Sequence, residues 1–178
     1  LSHPVVAPGP EAVAFLSAPT DGDGDWIIVE RDGRQERVGN QKASYDPVWT
    51  PGGALVYRVC GVRPGGCAWS LWIREAGASR EIEVAPERPP VLSADGLAAF
   101  VVTGRRADCL AKVDLASGAV RALGCVGEDA RIRLSDSGGS GVVWSPKDDG
   151  LELRWLEGES LGAPLVVPGT GVGPVDVS

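Results

Sequence analysis

Apolar and polar side chains alternate over short runs of this chain, and the runs return at a fixed interval. Leu151, Leu153 and Trp155 alternate with Glu152 and Arg154, the period of two of a strand with at least one wet face. Ala12 to Leu16 and Leu97 to Val102 are apolar at consecutive positions, as expected of a strand covered on both faces. Helical spacing is sustained nowhere. The pattern predicts many short strands. Turns such as Pro51-Gly52-Gly53, Ala94-Asp95-Gly96 and Ala116-Ser117-Gly118 separate them.

Four segments superpose: SYDPVWTPGG, PPVLSADG, RIRLSDSGG and GPVDVS. Their small hydroxyl residues, Thr50, Ser93, Ser135 and Ser178, recur at steps of 43, 42 and 43. PVVAPGP at the N-terminus is a looser copy. Glycines 33, 77, 118 and 158 recur beside them at steps of 44, 41 and 40, where turns need a residue that tolerates positive φ. A strand-rich unit of this length is the signature of a β-propeller blade of four antiparallel strands, A to D from the axis outward. The expected fold is all-β, with blades at about 4–40, 44–86, 89–126 and 130–168. Residues 173–178 would form an extra innermost strand or start a further blade. In the second unit the strands are expected at Asp46 to Thr50, Ala54 to Cys60, Ala68 to Glu75 and Ser79 to Ala85. Five strands of type A against four sets of B, C and D leave three arrangements. These are a piece of a longer propeller cut after a strand A, a closed four-blade ring with a tail, and a ring completed by a second copy.

DPVWTPGGALVYR, beginning at Asp46, resembles the PSWSPDGKKIAF-type motif of TolB-type propeller repeats, relatives of the WD-repeat class. VDLASGAVRAL, beginning at Val113, resembles the strand C–turn–strand D segment of such repeats. The likeness extends over all four units. The PDG turn of that motif is here PGG, ADG and DSGG. The resemblance implies a periplasmic or secreted interaction scaffold, the ectodomain of a membrane receptor or kinase, or the gating domain of a larger serine peptidase.

Composition narrows the partners. The 178 residues carry a formal net charge of −7 without any cluster of Lys and Arg, which argues against nucleic acid and anionic membranes. The longest apolar run, Leu97 to Val102, is too short to span a bilayer. No signal peptide is visible. The sequence starts at Leu1 and has no Met, so it reads as a processed product or a cut piece.

Four cysteines allow three disulfide connectivities. The blade reading favours two hairpin pairs, Cys60–Cys67 around GVRPGG and Cys109–Cys125 around the turn at Ser117; four free thiols are the alternative. Directly opposed strand positions bring side chains within disulfide reach. The longer closure would contribute about 3 kcal/mol by loop entropy. Such bonds belong outside a reducing cytosol, in an extracellular or periplasmic setting.

Two motifs invite chemistry. DGDGD places carboxylates at Asp21, Asp23 and Asp25, which could converge on Ca²⁺; the alternative is a solvated B–C turn. Trp26 stands where an EF-hand needs Gly. GESLG, around Ser160, matches the nucleophile-elbow pattern, but a strand follows it and the only histidine is His3, far upstream. No catalytic set or other cofactor site emerges. The expected function is a non-catalytic scaffold for protein partners, as a monomer, homo-oligomer or part of a larger assembly.

Overall fold

The computed structural model describes residues 4–9, 12–17, 26–38, 43–64, 66–104 and 109–169. These form strands, turns and connections, with no helix among them. Four antiparallel sheets follow one another along the chain. The first comprises β1 (Val5–Val6), β2 (Ala12–Ser17), β3 (Trp26–Arg31) and β4 (Arg34–Arg37). The second comprises β5 (Ser44–Trp49), β6 (Leu55–Arg63), β7 (Gly66–Glu75) and β8 (Ala78–Ile82). The third comprises β9 (Val91–Leu92), β10 (Ala98–Thr103), β11 (Cys109–Asp114) and β12 (Val120–Cys125). The fourth comprises β13 (Arg131–Leu134), β14 (Ser140–Lys147) and β15 (Gly150–Glu157). Its outer strand is broken into β16 (Ser160–Leu161) and β17 (Leu165–Pro168), both paired with β15. The sheets are the blades that the repeat predicts. The fifth copy, residues 173–178, lies outside the described residues.

The recurrent hydroxyl has a physical meaning. Thr50 Oγ1 accepts from the Ala54 amide at 3.0 Å, and Ser93 Oγ accepts from the Ala98 amide at 3.0 Å. Ser135 Oγ lies 3.0 Å from Ser140 Oγ. Each hydroxyl thus reaches the start of strand B or its threshold and ties it to the end of strand A. The hydroxyl residue's carbonyl also accepts from the amide of the turn glycine: Gly53 to Thr50, Gly96 to Ser93 and Gly138 to Ser135. Two of these glycines are needed for a second reason. A Cβ on Gly96 would strike Pro51, and one on Gly138 would strike Ala94, because successive A–B turns lie against each other. Both also have positive φ, 69° and 68°.

Each apolar cluster joins two consecutive sheets. Ala14, Ile27 and Val29 of the first sheet meet Leu55, Tyr57 and Val59 of the second. Val56, Leu71, Ile73 and Ile82 of the second meet Val101 and Val113 of the third. Phe100, Val102 and Leu110 of the third meet Val143 and Leu156 of the fourth. Strand B therefore sends alternate side chains to opposite neighbours, which explains its continuous apolar run. Leu97 departs from that expectation. It is 64% exposed, because it sits in the turn one residue before β10 begins.

No cluster among the described residues joins the fourth sheet to the first. On the fourth sheet Leu156 is buried against the third, while the alternating set Leu151, Leu153 and Trp155 lies on the opposite face. With Val142, Trp144 and Val167 that set lines an open hollow of about 740 Å³. Glu152 and Arg154, expected on the wet side, instead share the face of Leu156. Arg154 Nε lies 2.8 Å from a Glu152 carboxylate oxygen. One charged pair on the covered face and an apolar set on the open face invert the simple alternation.

Candidate functional site: the turn rim and its inter-sheet junctions

In an A-to-D meander the A–B and C–D turns fall at one end of the sheet and the B–C turn at the other. The stacking of successive A–B turns places these ends along a common rim. Where two sheets meet at this rim, the outer strands of one sheet present cations to the C–D turn of the next.

At the junction of the third and fourth sheets, Lys112 and Arg121 are directly opposed partners on β11 and β12. Like charges in that relation repel. Glu159, in the Gly158-Glu159 turn between β15 and β16, answers both: its carboxylate lies 3.1 Å from Lys112 Nζ and also pairs with Arg121. The Lys112 ammonium, and then the Arg121 guanidinium, hold the Glu159 carboxyl below the usual carboxylate range. At the junction of the second and third sheets, Arg80 on β8 donates to the turn carbonyls of Leu115 and Ala116.

The junction of the first and second sheets differs. Arg31 and Arg34 are directly opposed on β3 and β4, across the Asp32-Gly33 turn. Both are exposed, and neither guanidinium has a partner among the described residues. They line a cleft of about 380 Å³ with Trp49, Gly53, Arg74, Ala76 and Gly77, among others. Two pairs further along the strands, on the same face, Glu36 forms an ion pair with Arg74 at 2.7 Å. Trp49 is fixed by its indole N–H, which donates to the Val5 carbonyl at 3.1 Å. The C–D turn of the second sheet is Ala76-Gly77, closed by Glu75 opposite Ala78. The turn of the fourth sheet is closed by Glu157 opposite Ser160. Gly77 thus occupies the position that carries Glu159 in the fourth sheet. The glycine is the second turn residue in Asp32-Gly33 and Ala76-Gly77 but the first in Gly158-Glu159. That shift frees a position for the carboxylate in the fourth sheet alone of these three.

Sequence reasoning missed this cation pair, because opposition depends on register. It also missed a network in the second sheet. The Arg58 guanidinium, nearly buried, lies 2.5 Å from the Asp46 carboxylate, donates to the Pro86 carbonyl and stacks 4.2 Å above the Trp69 ring. This network ties β5, β6 and β7 to the connection that leaves the sheet. A register shift between Tyr45 and Val48 accompanies it, which spacing alone does not reveal.

The cysteines lie toward the other rim. Cys60 and Cys67 are bonded, with Cα atoms 5.0 Å apart. They are not directly opposed, as expected, but diagonal: Cys60 pairs with Trp69 and Val62 with Cys67. The expected loop is mostly strand, since the ladder continues to Arg63 opposite Gly66. Cys109 and Cys125 are directly opposed, as expected. In this structure they are separate thiols, with sulfurs 3.5 Å apart, rather than the expected bond. Asp21, Asp23, Asp25 and His3 lie outside the described residues. Among the described residues no group of three or more His, Cys, Asp or Glu is placed to hold a metal, and no helix is long and apolar enough to cross a membrane. Ser160 begins β16 opposite Glu157, in a hairpin rather than a strand-to-helix elbow.

No family model and no curated protein matches this chain. Solved structures do. TolB from Acinetobacter baumannii superposes with a TM-score of 0.64 at 16% identity, over 95% of this chain and 43% of that one. The chain has a TolB-like β-propeller fold. The same blades superpose on Pyrococcus horikoshii acylaminoacyl peptidase, with a TM-score of 0.65 at 14% identity, over 93% of this chain and 32% of that one. A puromycin-hydrolyzing peptidase of Mycobacterium tuberculosis gives 0.53 at 18%, over 93% and 31%. The propeller chain spans less than half the length of each of these three proteins.

Proposed function

We propose that this chain is a non-catalytic propeller module that binds a protein partner outside the cytosol, through the rim where its A–B and C–D turns gather. The observation that carries the reading is the cleft between the first and second sheets. It opens among turn residues, offers an aromatic wall in Trp49, and holds two guanidiniums that have no partner among the described residues. Turns held on a rigid sheet scaffold are where binding surfaces concentrate. Photo-crosslinking tests it. A benzophenone side chain in place of Gly53 on this rim should capture a defined partner in extract of the source cells. One in place of Glu128 on the opposite connection should not. Equal labelling from both rims would overturn the assignment.

The extracytoplasmic setting rests on the cysteines. The Cys60–Cys67 bond is the support, since such a bond persists where the surroundings are not reducing. Chain unfolded without reductant should then show two free thiols, those of Cys109 and Cys125, in an Ellman assay. Four reactive thiols would remove this support.

A second reading is favoured by the peptidase superpositions, which match the blades as well as TolB does. In it the chain is the propeller portion of a larger serine peptidase. The parent gene decides: a hydrolase domain beside these blades in the same open reading frame would replace the first reading with the second.

A further inference from the structure

We propose that the mouth of the cleft between the first and second sheets is a carboxylate-binding site, in which Arg31 and Arg34 clamp an acidic side chain of a partner protein. The proposal rests on the turn-rim reading above and gives that rim its chemistry.

The molecule contains its own template for the bound state. On the third sheet Lys112 and Arg121 form a directly opposed like-charged pair, and Glu159 of the next sheet neutralises it. Arg31 and Arg34 are likewise opposed and like-charged on the first sheet, but nearer the turn; the pair in register with Lys112 and Arg121 is Val29 and Glu36. They share the face of Ile27 and Val29, which meets the second sheet, so they too look toward the next C–D turn. At the position of Glu159 that turn has Gly77, which supplies no side chain. The carboxylate is missing and the space for it is present: nothing lies within 4 Å of where a Cβ on Gly77 would be. Two other carboxylates line the cleft. Glu36 is engaged by Arg74, and Asp32, in the turn between the two arginines, forms an ion pair with neither. Two opposed guanidiniums cost stability when empty and favour a carboxylate that bridges them.

Arginine also fits better than lysine would, since its planar fork matches both oxygens of a carboxylate. The cleft floor adds selectivity. Trp49 and Val29 give apolar contact to the methylenes of a glutamate, and the glycines at 53 and 77 leave room for an extended backbone. The net charge of −7 repels an acidic peptide at long range. Binding must therefore come from the two short-range contacts and survive screening at moderate salt.

The test uses a fluorescein-labelled tetraglutamate peptide and fluorescence anisotropy at about 0.1 M salt, where the Debye length is roughly 10 Å. The expected result is saturable one-to-one binding, with none by a tetraglutamine peptide. Arg31→Gln and Arg34→Gln should each weaken it about tenfold, as loss of one charge-assisted contact implies. Arg121→Gln, at the junction already filled by Glu159, should leave it unchanged. The exposed arginines are not part of the core, and an unchanged melting curve for each variant shows that folding is intact. Absence of saturable binding overturns the proposal, as does equal affinity in the double variant. So does displacement by inorganic phosphate at the same concentration as peptide, which would make the seat one for free anions. Loss of peptide binding with retained crosslinking at residue 53 would remove the carboxylate site alone. Loss of both would remove the rim reading with it.

Discussion

The first inter-sheet junction and the third are built alike in the middle and differently at the rim. Both bury alternate residues of strand B, Tyr57 with its neighbours in one and Phe100 and Val102 in the other. Both carry a like-charged pair on the outer strands of the leading sheet. Only the third supplies the answering carboxylate, from Glu159. The apolar interior is what joins blades, and the rim can be left incomplete without breaking the join. A repeat protein can thus keep its scaffold constant while the charges on its outer strands and turns differ from one junction to the next.

Truncating the two interiors should produce the largest effects and similar ones. Tyr57→Ala should cost about 3–5 kcal/mol and Leu110→Ala about 2–5 kcal/mol, read as urea midpoints at constant slope. A near-neutral Tyr57→Ala would mean that the first junction is not packed like the third. Gly138→Ala tests the stacking of A–B turns. Steric overlap with Ala94 and the positive φ together should cost about 2–4 kcal/mol. Gly33→Ala meets no neighbour and should cost only about 1 kcal/mol.

The rim substitutions come next. Glu159→Gln should lower the melting temperature by less than any of the core changes, and the difference should shrink as salt is raised. It should also depend on pH. The carboxyl of Glu159 is held below its ordinary value by Lys112 and Arg121. Its contribution is therefore complete above the unfolded value of roughly 4.3 and fades as pH falls through the lower folded value. Wild type and variant should converge in acid; a gap that widens there would contradict the ion-pair role. The smallest effect belongs to the empty seat. Arg34→Gln without ligand should change stability by no more than about 0.5 kcal/mol, with a gain rather than a loss, because it relieves repulsion. A clear loss would mean that Arg34 already has a partner.

The fold was legible because its period is written in functional atoms. Thr50, Ser93 and Ser135 recur where strand A is tied to strand B, and a glycine follows each where the turn must reverse. The C–D glycines were legible for the same reason, at φ of 70°, 84°, 77° and 57° for Gly33, Gly77, Gly118 and Gly158. What stayed hidden depends on register across strands. The diagonal of Cys60 and Cys67 follows from a ladder that runs on to Arg63 opposite Gly66, into the segment that suggested a loop. The opposition of Arg31 and Arg34, and the one-residue shift from Gly77 to Gly158, appear only once the closing pairs of the turns are known. The open apolar face of the fourth sheet was hidden because Leu151, Leu153 and Trp155 read the same whether or not a sheet covers them.

The most direct measurement follows the guanidinium Nε–H resonances of the arginines by NMR as tetraglutamate peptide is added. The account predicts saturable shifts for Arg31 and Arg34 at one equivalent and none for Arg121, whose carboxylate is already in place. Uniform small shifts of all exposed arginines, or none, would contradict it.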